Sequence, residues 1–257
     1  MILTSLVDVE QVVAANFIAY SRASKEALKS ANILKSLQVD VLIEGPKGVG
    51  KETLARYISP NANILKNESD LKKITKKSSD LIILNIENFK NLHLLTSLSK
   101  EHRVIATSNK STKSEILDKI FSIKIFLPPY SQRKEDILPL AKKFLEEANE
   151  IFSQNIDLDL KEIDFNLSEN GDSIKRDVFF NSFLKDIDDK RLIDCMERFL
   201  ANKLGTKNDY KEFLYLYEIP LIRVGFKKFK SQLKMAKMFG LNRNTLRKKI
   251  NDYEERL

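Results

Sequence analysis

The sequence predicts an α/β fold, in which a parallel sheet is flanked by helices and followed by a helical region and an all-α C-terminal module. Apolar strand patterns alternate with helical patterns through the first 152 residues. A glycine-rich loop at 45–50 joins one such strand to a helix, and two short basic helices lie near the end of the chain. With 42% hydrophobic residues, the 257-residue chain can form packed cores in two or three small domains.

The elements of the first part follow from their periodicity. Apolar residues at helical spacing predict a helix over 25–37, and the apolar run 39–43 predicts a buried strand. A helix over 51–58 follows the glycine loop and ends near Pro60. Further strands are predicted at 81–86, 103–107 and 123–127, and a long amphipathic helix at 134–152.

The second part is predicted to be helical after a linker. Residues 153–172 are acidic and rich in Asn and Ser, which is typical of a loop, and the helical period returns over 177–204. The segment Gly205-Thr-Lys-Asn-Asp209 breaks it. We therefore expect a sheet domain at 1–152, a lid-like helical region at 153–212 and a separate C-terminal module at 213–257.

The last 39 residues carry the net charge of the chain. Residues 219–257 hold 11 Lys and Arg against 3 Asp and Glu, a net charge of +8, and the full chain has 44 against 36, also +8. The preceding 218 residues are therefore neutral. A neutral body with one basic end predicts a module that binds a polyanion.

Two short helices joined by a glycine turn are predicted within this basic end. The first has an apolar stripe of Leu233, Ala236, Met238 and Phe239, Gly240 forms the turn, and Leu241 enters the core. Asn242 caps the second helix, whose Leu246 and Ile250 face inward. This is a helix-turn-helix pattern, whose second helix enters the major groove of DNA. The predicted DNA-binding residues are Asn242, Arg243, Asn244, Thr245, Arg247, Lys248 and Lys249.

The glycine loop matches the pattern G-x-x-x-x-G-K, which binds phosphate groups. Backbone N–H groups converge on phosphate oxygens where glycines leave no Cβ in the way, and the lysine reaches the terminal phosphates. Glu52 stands where a Ser or Thr magnesium ligand is usual. The predicted nucleotide-binding residues are Gly45, Pro46, Lys47, Gly48, Val49, Gly50, Lys51, Glu52, Thr53 and Asn109.

These segments resemble those of bacterial enhancer-binding proteins, the NtrC-like activators of the sigma-54 polymerase. Residues 45–58 are similar to the glycine loop of their AAA+ domain, where Glu also follows the Lys; residues 103–109 are similar to its sensor I strand and 126–141 to the segment before its lid. Residues 217–253 resemble the Fis-type helix-turn-helix at their C-terminus. The resemblance implies an AAA+ P-loop domain, a lid and a paired DNA-binding module.

The chain departs from that family at the positions that support catalysis. Asn85 and Ile86 stand where the family has Asp-Glu, and Glu87 follows them. Asn lacks the charge that holds Mg²⁺, and Ile cannot polarise water. The helix at 112–120 offers Lys113 and Lys119 where the resemblance implies an arginine finger. The 34 positions from Lys51 to Asn85 leave no room for the family's sigma-gripping Gly-Ala-Phe-Thr-Gly-Ala loop.

Three functions remain open on this basis. We expect a DNA-binding transcriptional regulator with a degenerate AAA+ domain, in which ATPase activity is weak or absent. The alternatives are an ATP-hydrolysing sigma-54-dependent activator and an inactive clamp-loader-like AAA+ subunit. ATP or ADP is the expected ligand, while a need for Mg²⁺ stays open. The expected partners are double-stranded DNA and a second copy of the chain, paired through the C-terminal module.

The cysteine content and hydropathy predict a cytoplasmic protein. The single cysteine, Cys195, excludes an internal disulfide, and we interpret it as a small buried apolar residue. The sequence contains no run of eighteen apolar residues, so no membrane span is predicted, and the N-terminus lacks the pattern of a signal peptide.

Overall fold

A computed structural model describes residues 17–74, 79–110, 115–153, 155–185 and 187–256. They form two compact units that divide at residue 186. The predicted boundaries at 152 and 212 differ from this division, and residues 155–185 of the predicted lid-like region lie in the first unit.

The first unit contains a five-stranded parallel sheet and flanking helices. Its strands are β1 (Val41–Glu44), β2 (Asn63–Leu65), β3 (Leu81–Ile83), β4 (Val104–Ser108) and β5 (Ile123–Phe126), in the order β2-β3-β4-β1-β5. Its helices are α1 (Arg22–Leu34), α2 (Lys51–Ile58), α3 (Leu92–Glu101), α4 (Glu115–Ile120), α5 (Ile137–Phe152) and α6 (Gly171–Lys185). The predicted α/β class is confirmed.

Both faces of the sheet are covered. Val41 and Ile43 of β1 pack into one buried cluster with α1 and α2, while Leu42 between them packs into a second cluster on the opposite face. This division follows from the two-residue period of a strand. Because β1 is buried on both sides, its sequence is a continuous apolar run rather than an alternating one.

The strand at 81–86 and the linker at 153–172 differ from prediction. Strand β3 ends at Ile83, and a 3₁₀ helix follows at Ile86–Asn88. Residues 155–170 are irregular, yet several of their apolar side chains pack against α5 and α6, so this stretch is part of the core of the first unit. Strand β2 was not predicted, because three residues are too few to show a period.

The second unit is helical. Its helices are α7 (Asp189–Ala201), α8 (Asp209–Phe213), α9 (Tyr215–Phe229), α10 (Gln232–Met238) and α11 (Arg243–Asp252). The helical region predicted over 177–204 contains parts of two helices: α6 ends at Lys185, and Asp188 caps the separate helix α7 by accepting from the Arg191 N–H at 2.7 Å. In the described residues no helix is long and apolar enough to cross a membrane.

Candidate functional site

The glycine loop connects the carboxyl end of β1 to the first turn of α2, as predicted. Gly48 and Gly50 have φ angles of 76° and 94°, which side-chain-bearing residues rarely adopt. A Cβ on Gly48 would also lie 2.4 Å from the carbonyl oxygen of Glu169. The loop therefore needs glycine at position 48 for both its conformation and its close contact with the chain before α6.

Lys51 lies at the centre of the loop and is only 6% exposed. Its ammonium donates to the carbonyl oxygens of Gly45 at 2.7 Å and Pro46 at 2.6 Å, and to Asn109 Oδ1 at 3.1 Å. Burial lowers the pKa of Lys51 to about 8, and the carboxylates of Glu87 and Asp172 partly offset this effect. The structure thus provides a largely buried cation at the first turn of a helix, a combination suited to an anionic ligand.

Asn109 connects Lys51 to the end of β3. Its amide donates to Asn85 Oδ1 at 2.9 Å, and the Asn85 backbone N–H donates to the Thr107 hydroxyl at 2.9 Å. Asn85, at φ 55°, leaves the strand direction in the left-handed region. The predicted sensor strand and the altered acidic motif therefore meet Lys51 in one hydrogen-bonded group.

Ile86 and Glu87 do not reach the cleft. Ile86 is 2% exposed and packs in the second buried cluster of the sheet. Glu87 accepts from the Ser108 hydroxyl and the Asn109 backbone N–H, each at 2.6 Å. Burial alone would raise the pKa of Glu87, but these hydrogen bonds hold it below its usual value. Glu87 is therefore a structural carboxylate that fixes the end of β4.

A cleft of about 370 Å³ opens beside the loop. Seven of the ten predicted nucleotide-binding residues line it: Lys47, Gly48, Gly50, Lys51, Glu52, Thr53 and Asn109. Val49 instead is buried in the core, and the carbonyls of Gly45 and Pro46 hold Lys51. The cleft has a polar end at the loop and an apolar end that sequence reasoning missed, formed by Phe17, Ile18, Tyr130, Leu140 and Phe144.

The start of α6 forms another wall of the cleft. Gly171 and Asp172 line it, and the Asp172 carboxylate lies 3.6 Å from the Lys47 ammonium. The helical part of the first unit therefore closes over the phosphate loop.

The oxygen ligands of the cleft do not fit a tight magnesium site. The neutral Asn85 side chain already accepts from Asn109. The two carboxylates that line the cleft are paired, Glu52 with Arg56 at 2.7 Å and Asp172 with Lys47. Across the described ranges, no cluster of three His, Cys, Asp or Glu side chains is arranged to hold a metal ion. Mg²⁺ prefers charged oxygen ligands that are free to coordinate it.

In the second unit, α10 and α11 are joined by a tight turn at Gly240. Gly240 has φ 65°; its N–H donates to the Lys237 carbonyl, and the Leu241 N–H donates to the Ala236 carbonyl at 2.9 Å. This is a Schellman motif, in which a left-handed glycine ends a helix. The Asn242 side chain then accepts from the Asn244 N–H at 2.9 Å and caps α11 as predicted.

The core of this unit corrects the predicted stripe of α10. Of the four predicted residues, Ala236 is buried and Phe239 packs against the same cluster, whereas Leu233 and Met238 are each 64% exposed. Met235, which was not predicted, is buried with Ala236, Ile222 and Leu246. On α11, Leu246 is buried and Ile250 packs against the same cluster, so the inward face of α11 is confirmed.

The opposite face of α11 is polar and exposed. Of the seven predicted DNA-binding residues, six are exposed: Asn242, Arg243, Asn244, Thr245, Arg247 and Lys248. Lys249 differs, because its ammonium forms an ion pair with the buried carboxylate of Glu218 in α9, which also accepts from the Tyr253 hydroxyl at 2.9 Å. Lys249 therefore helps to hold α11 against α9.

Helix α7 has an apolar face that none of the described residues buries. Leu192 is 50% exposed and Ile193 is 64% exposed, and Met196, Leu200 and Leu204 line the same shallow groove. Cys195 lies on this helix and is exposed, so its predicted burial is wrong. The reason is that α7 buries none of its residues within the described chain.

The strand order, the phosphate loop after β1 and the helical region that closes over it define an AAA+ fold. Residues 17–76 match the sigma-54 interaction domain family. No match to a curated protein was found. NtrX from Brucella abortus in complex with ADP is similar in structure, with a TM-score of 0.55, 13% identity, and coverage of 97% of this chain and 72% of that chain. The ATP complex of NtrX is similar to the same extent, with a TM-score of 0.54, 14% identity, and coverage of 97% of this chain and 72% of that chain. At these identities the similarity shows the fold alone.

Proposed function

We propose that this protein is a DNA-binding transcriptional regulator whose AAA+ unit binds ATP or ADP and hydrolyses it weakly or not at all. The observation that carries the nucleotide part is the position of Lys51, buried at the first turn of α2 beside the glycine loop and hydrogen-bonded to Asn109. Its neighbours Lys47 and Lys143 also line the cleft. The binding of ADP and ATP by NtrX supports the same ligands here.

The proposed weakness of hydrolysis follows from the end of β3. An attacking water needs a base within hydrogen-bond reach, and Ile86 supplies no such group. The nearest acid in sequence, Glu87, is occupied by Ser108 and the Asn109 N–H. Asn85 offers a neutral oxygen where a metal would need charge. Binding without turnover is the behaviour that this arrangement supports.

An ATP-hydrolysing sigma-54 activator is the second candidate, and the family match over residues 17–76 favours it. Between α2 and β3, however, the described residues form only β2 and a 3₁₀ helix at Glu68–Lys73, with no protruding loop among them. Remodelling of a polymerase needs such a contact loop as well as hydrolysis. A clamp-loader-like subunit fits less well, because it gives no role to the basic helix α11.

The DNA-binding part is carried by the exposed face of α11. Helices α10 and α11 with the turn at Gly240 form the helix-turn-helix, which we infer to be of Fis type. Asn242, Arg243, Asn244 and Lys248 are the candidates for base edges, and Arg243 suits a guanine best. Thr245 and Arg247 are candidates for phosphate contacts, as is Lys249 once it leaves Glu218.

The homodimer was expected to pair through the C-terminal module at 213–257, and we further propose that it uses the apolar face of α7, which precedes that module. Its groove residues Leu192, Ile193, Met196, Leu200 and Leu204 belong to the unit that carries α11. A second copy packed on this face would pair two recognition helices, which in a two-fold arrangement must lie about 34 Å apart to enter successive major grooves. In analytical ultracentrifugation the unsubstituted protein should sediment as a dimer, and the Ile193→Glu protein should sediment as a monomer. The control Arg198→Glu, on the same helix, should stay dimeric; a dimeric Ile193→Glu protein would contradict the assignment.

DNA binding by the full chain tests the role of α11. In fluorescence anisotropy with a duplex selected for tight binding, we expect Arg243→Ala to weaken the affinity by about 10- to 100-fold and to relax sequence preference. The control Lys227→Ala removes the same charge from an exposed position of α9. The Lys227→Ala substitution should lower the affinity for all duplexes equally and only slightly. Equal effects of the two substitutions would show that α11 is not the reading helix.

ADP binding tests the phosphate loop separately. Calorimetric titration of the full chain should show one ADP site, which Lys51→Ala removes. The control Lys66→Ala changes the same charge outside the cleft and should leave the ADP affinity within twofold of the unsubstituted protein. Undiminished ADP binding by the Lys51→Ala protein would refute this role.

A further inference from the structure

Three consecutive carbonyl groups of the phosphate loop are held from outside the loop. The Lys47 carbonyl accepts from Asn170 Nδ2 at 2.9 Å, the Gly48 carbonyl from the Gly171 N–H at 3.0 Å, and the Val49 carbonyl from Arg133 Nη2 at 2.6 Å. These donors come from the start of α6 and from the segment between β5 and α5. They are not part of the glycine motif.

The position of these carbonyls fixes the direction of the N–H groups of the loop. In a planar trans peptide, the C=O of one residue and the N–H of the next point in opposite directions. Bonds to the carbonyls of residues 47, 48 and 49 therefore direct the N–H groups of Gly48, Val49 and Gly50 away from the donors. Those three N–H groups make no hydrogen bond with another described residue. Converging N–H groups of this kind form an anion-binding concavity.

The close approach of α6 to the loop depends on glycine on both sides. A Cβ on Gly48 would lie 2.4 Å from the Glu169 carbonyl oxygen, and a Cβ on Gly171 would lie 2.7 Å from the Gly48 carbonyl oxygen. Gly171 has no positive φ, so its own backbone would accept a side chain. Glycine at 171 is therefore required by the contact with the loop and not by its conformation.

The side-chain donors are themselves fixed in place. Asn170, 6% exposed and at φ 55°, also accepts from the Tyr130 N–H at 3.0 Å. Arg133 is fully buried, donates to the Pro128 carbonyl at 2.9 Å and lies 3.6 Å from the Asp136 carboxylate. Because both side chains are held on two sides, each can restrict the peptide that it contacts.

We infer that Asn170, Gly171 and Arg133 form an outer brace that positions the phosphate-loop N–H groups for the phosphates of a nucleotide. This inference rests on the proposed nucleotide-binding function and names the positioning residues of that site. Without the brace, the peptides of the loop can rotate. The free energy needed to order them when nucleotide binds then reduces the affinity for the nucleotide. The brace also couples the start of α6 to the bound phosphates.

The test compares two asparagines that each make two hydrogen bonds to the backbone. Asn170→Gly removes the brace bond to the Lys47 carbonyl and the bond from the Tyr130 N–H, and it keeps the left-handed conformation without a change of charge. Asn149→Ala removes the two bonds of Asn149 to Ile156, at 2.8 and 3.2 Å, on α5. ADP and adenosine affinities of the full-length proteins are measured at a temperature where each is folded. We expect Asn170→Gly to weaken ADP binding about tenfold without a comparable effect on adenosine, and Asn149→Ala to stay within twofold for ADP.

A second variant distinguishes the loss of the brace from a general loss of folding. Gly171→Ala forces the start of α6 away from the Gly48 carbonyl and leaves Asn170 in place, so ADP affinity should fall when it is measured below the thermal midpoint of the variant. Unchanged ADP affinity in both Asn170→Gly and Gly171→Ala would overturn the brace, as would an equal loss in Asn149→Ala. If the unsubstituted protein fails to bind ADP, the proposed nucleotide function fails and this inference fails with it.

Discussion

Asp136→Asn is a direct test of how the first unit is held together. The Asp136 carboxylate is fully buried and accepts four hydrogen bonds, from the backbone N–H groups of Tyr20 and Ser21 and the hydroxyls of Ser21 and Ser24, at 2.6 to 2.8 Å. It is also the counter-ion of the fully buried Arg133. The amide has almost the same shape, so the substitution removes a charge without opening a cavity.

The expected cost comes mainly from Arg133. An asparagine oxygen can keep the bonds from the two backbone N–H groups, and the hydroxyls of Ser21 and Ser24 can rotate toward the amide. The Arg133 guanidinium, however, stays buried without its counter-ion, and breaking a buried pair in this way costs about 3–5 kcal/mol. This is a large part of the roughly 5–15 kcal/mol that stabilises a domain. We therefore expect a folded but strongly destabilised first unit.

Hydrogen exchange measures this loss in the first unit alone. Amides of β1 and β4 exchange through opening of that unit, and a tenfold rate change corresponds to about 1.4 kcal/mol, so their exchange should accelerate by about 100- to 4,000-fold. Glu147→Gln, which breaks the partly exposed pair with Lys175 at 2.6 Å, serves as control and should cost no more than about 1 kcal/mol. An acceleration below tenfold in Asp136→Asn would refute the role assigned to the buried pair.

The remaining predictions concern the cleft and the C-terminal unit. The pKa of Lys51 is lowered to about 8, and phosphate binding favours its charged form, so the ADP dissociation constant should rise by up to about tenfold per pH unit above pH 8. In the Lys51→Arg protein the dissociation constant should not change with pH over this range. A dissociation constant that is independent of pH in the unsubstituted protein would contradict this prediction. The same lowered pKa makes the contribution of Lys51 to stability rise between about pH 8 and 10.5, since the unfolded chain then binds the additional proton. Leu246→Ala should lower the free energy of unfolding of the second unit by about 2–5 kcal/mol, measured by hydrogen exchange of the α11 amides, and should also weaken DNA binding. A loss of stability below about 1 kcal/mol would show that this core is not needed. Purified protein should not support open-complex formation by the sigma-54 polymerase, and protein-dependent transcripts in that assay would establish the second candidate function.

The sequence predicts those parts of the site that depend on local patterns. The glycine loop, Lys51 and the cap at Asn242 are each set by a few adjacent residues, and the structure places all three in the expected local structure. The three-residue strand β2 was missed because it is too short to show a period. In the stripe of α10, Ala236 and Phe239 were assigned correctly, but Leu233 and Met238 were not, because they fit an apolar stripe as well as Met235 does.

What the sequence could not predict depends on contacts between distant segments. Asn170 and Arg133 reach the phosphate loop only through folding, since they lie 123 and 84 positions from the loop residues that they contact. The spacing in sequence also gave no sign that Glu87 turns toward Ser108 or that Lys249 pairs with Glu218. Such contacts are set by how helices pack on the sheet and on each other, which residue patterns alone do not fix.

We propose that the first unit binds nucleotide but does not turn it over at an ordinary enzyme rate. The most direct measurement incubates the purified full chain with labelled ATP, with and without Mg²⁺, and follows bound nucleotide and released phosphate in the same samples. We expect saturable binding that Lys51→Ala abolishes, with phosphate release far below one per second at every ATP concentration. Steady Mg²⁺-dependent release on the order of one per second or faster would contradict it.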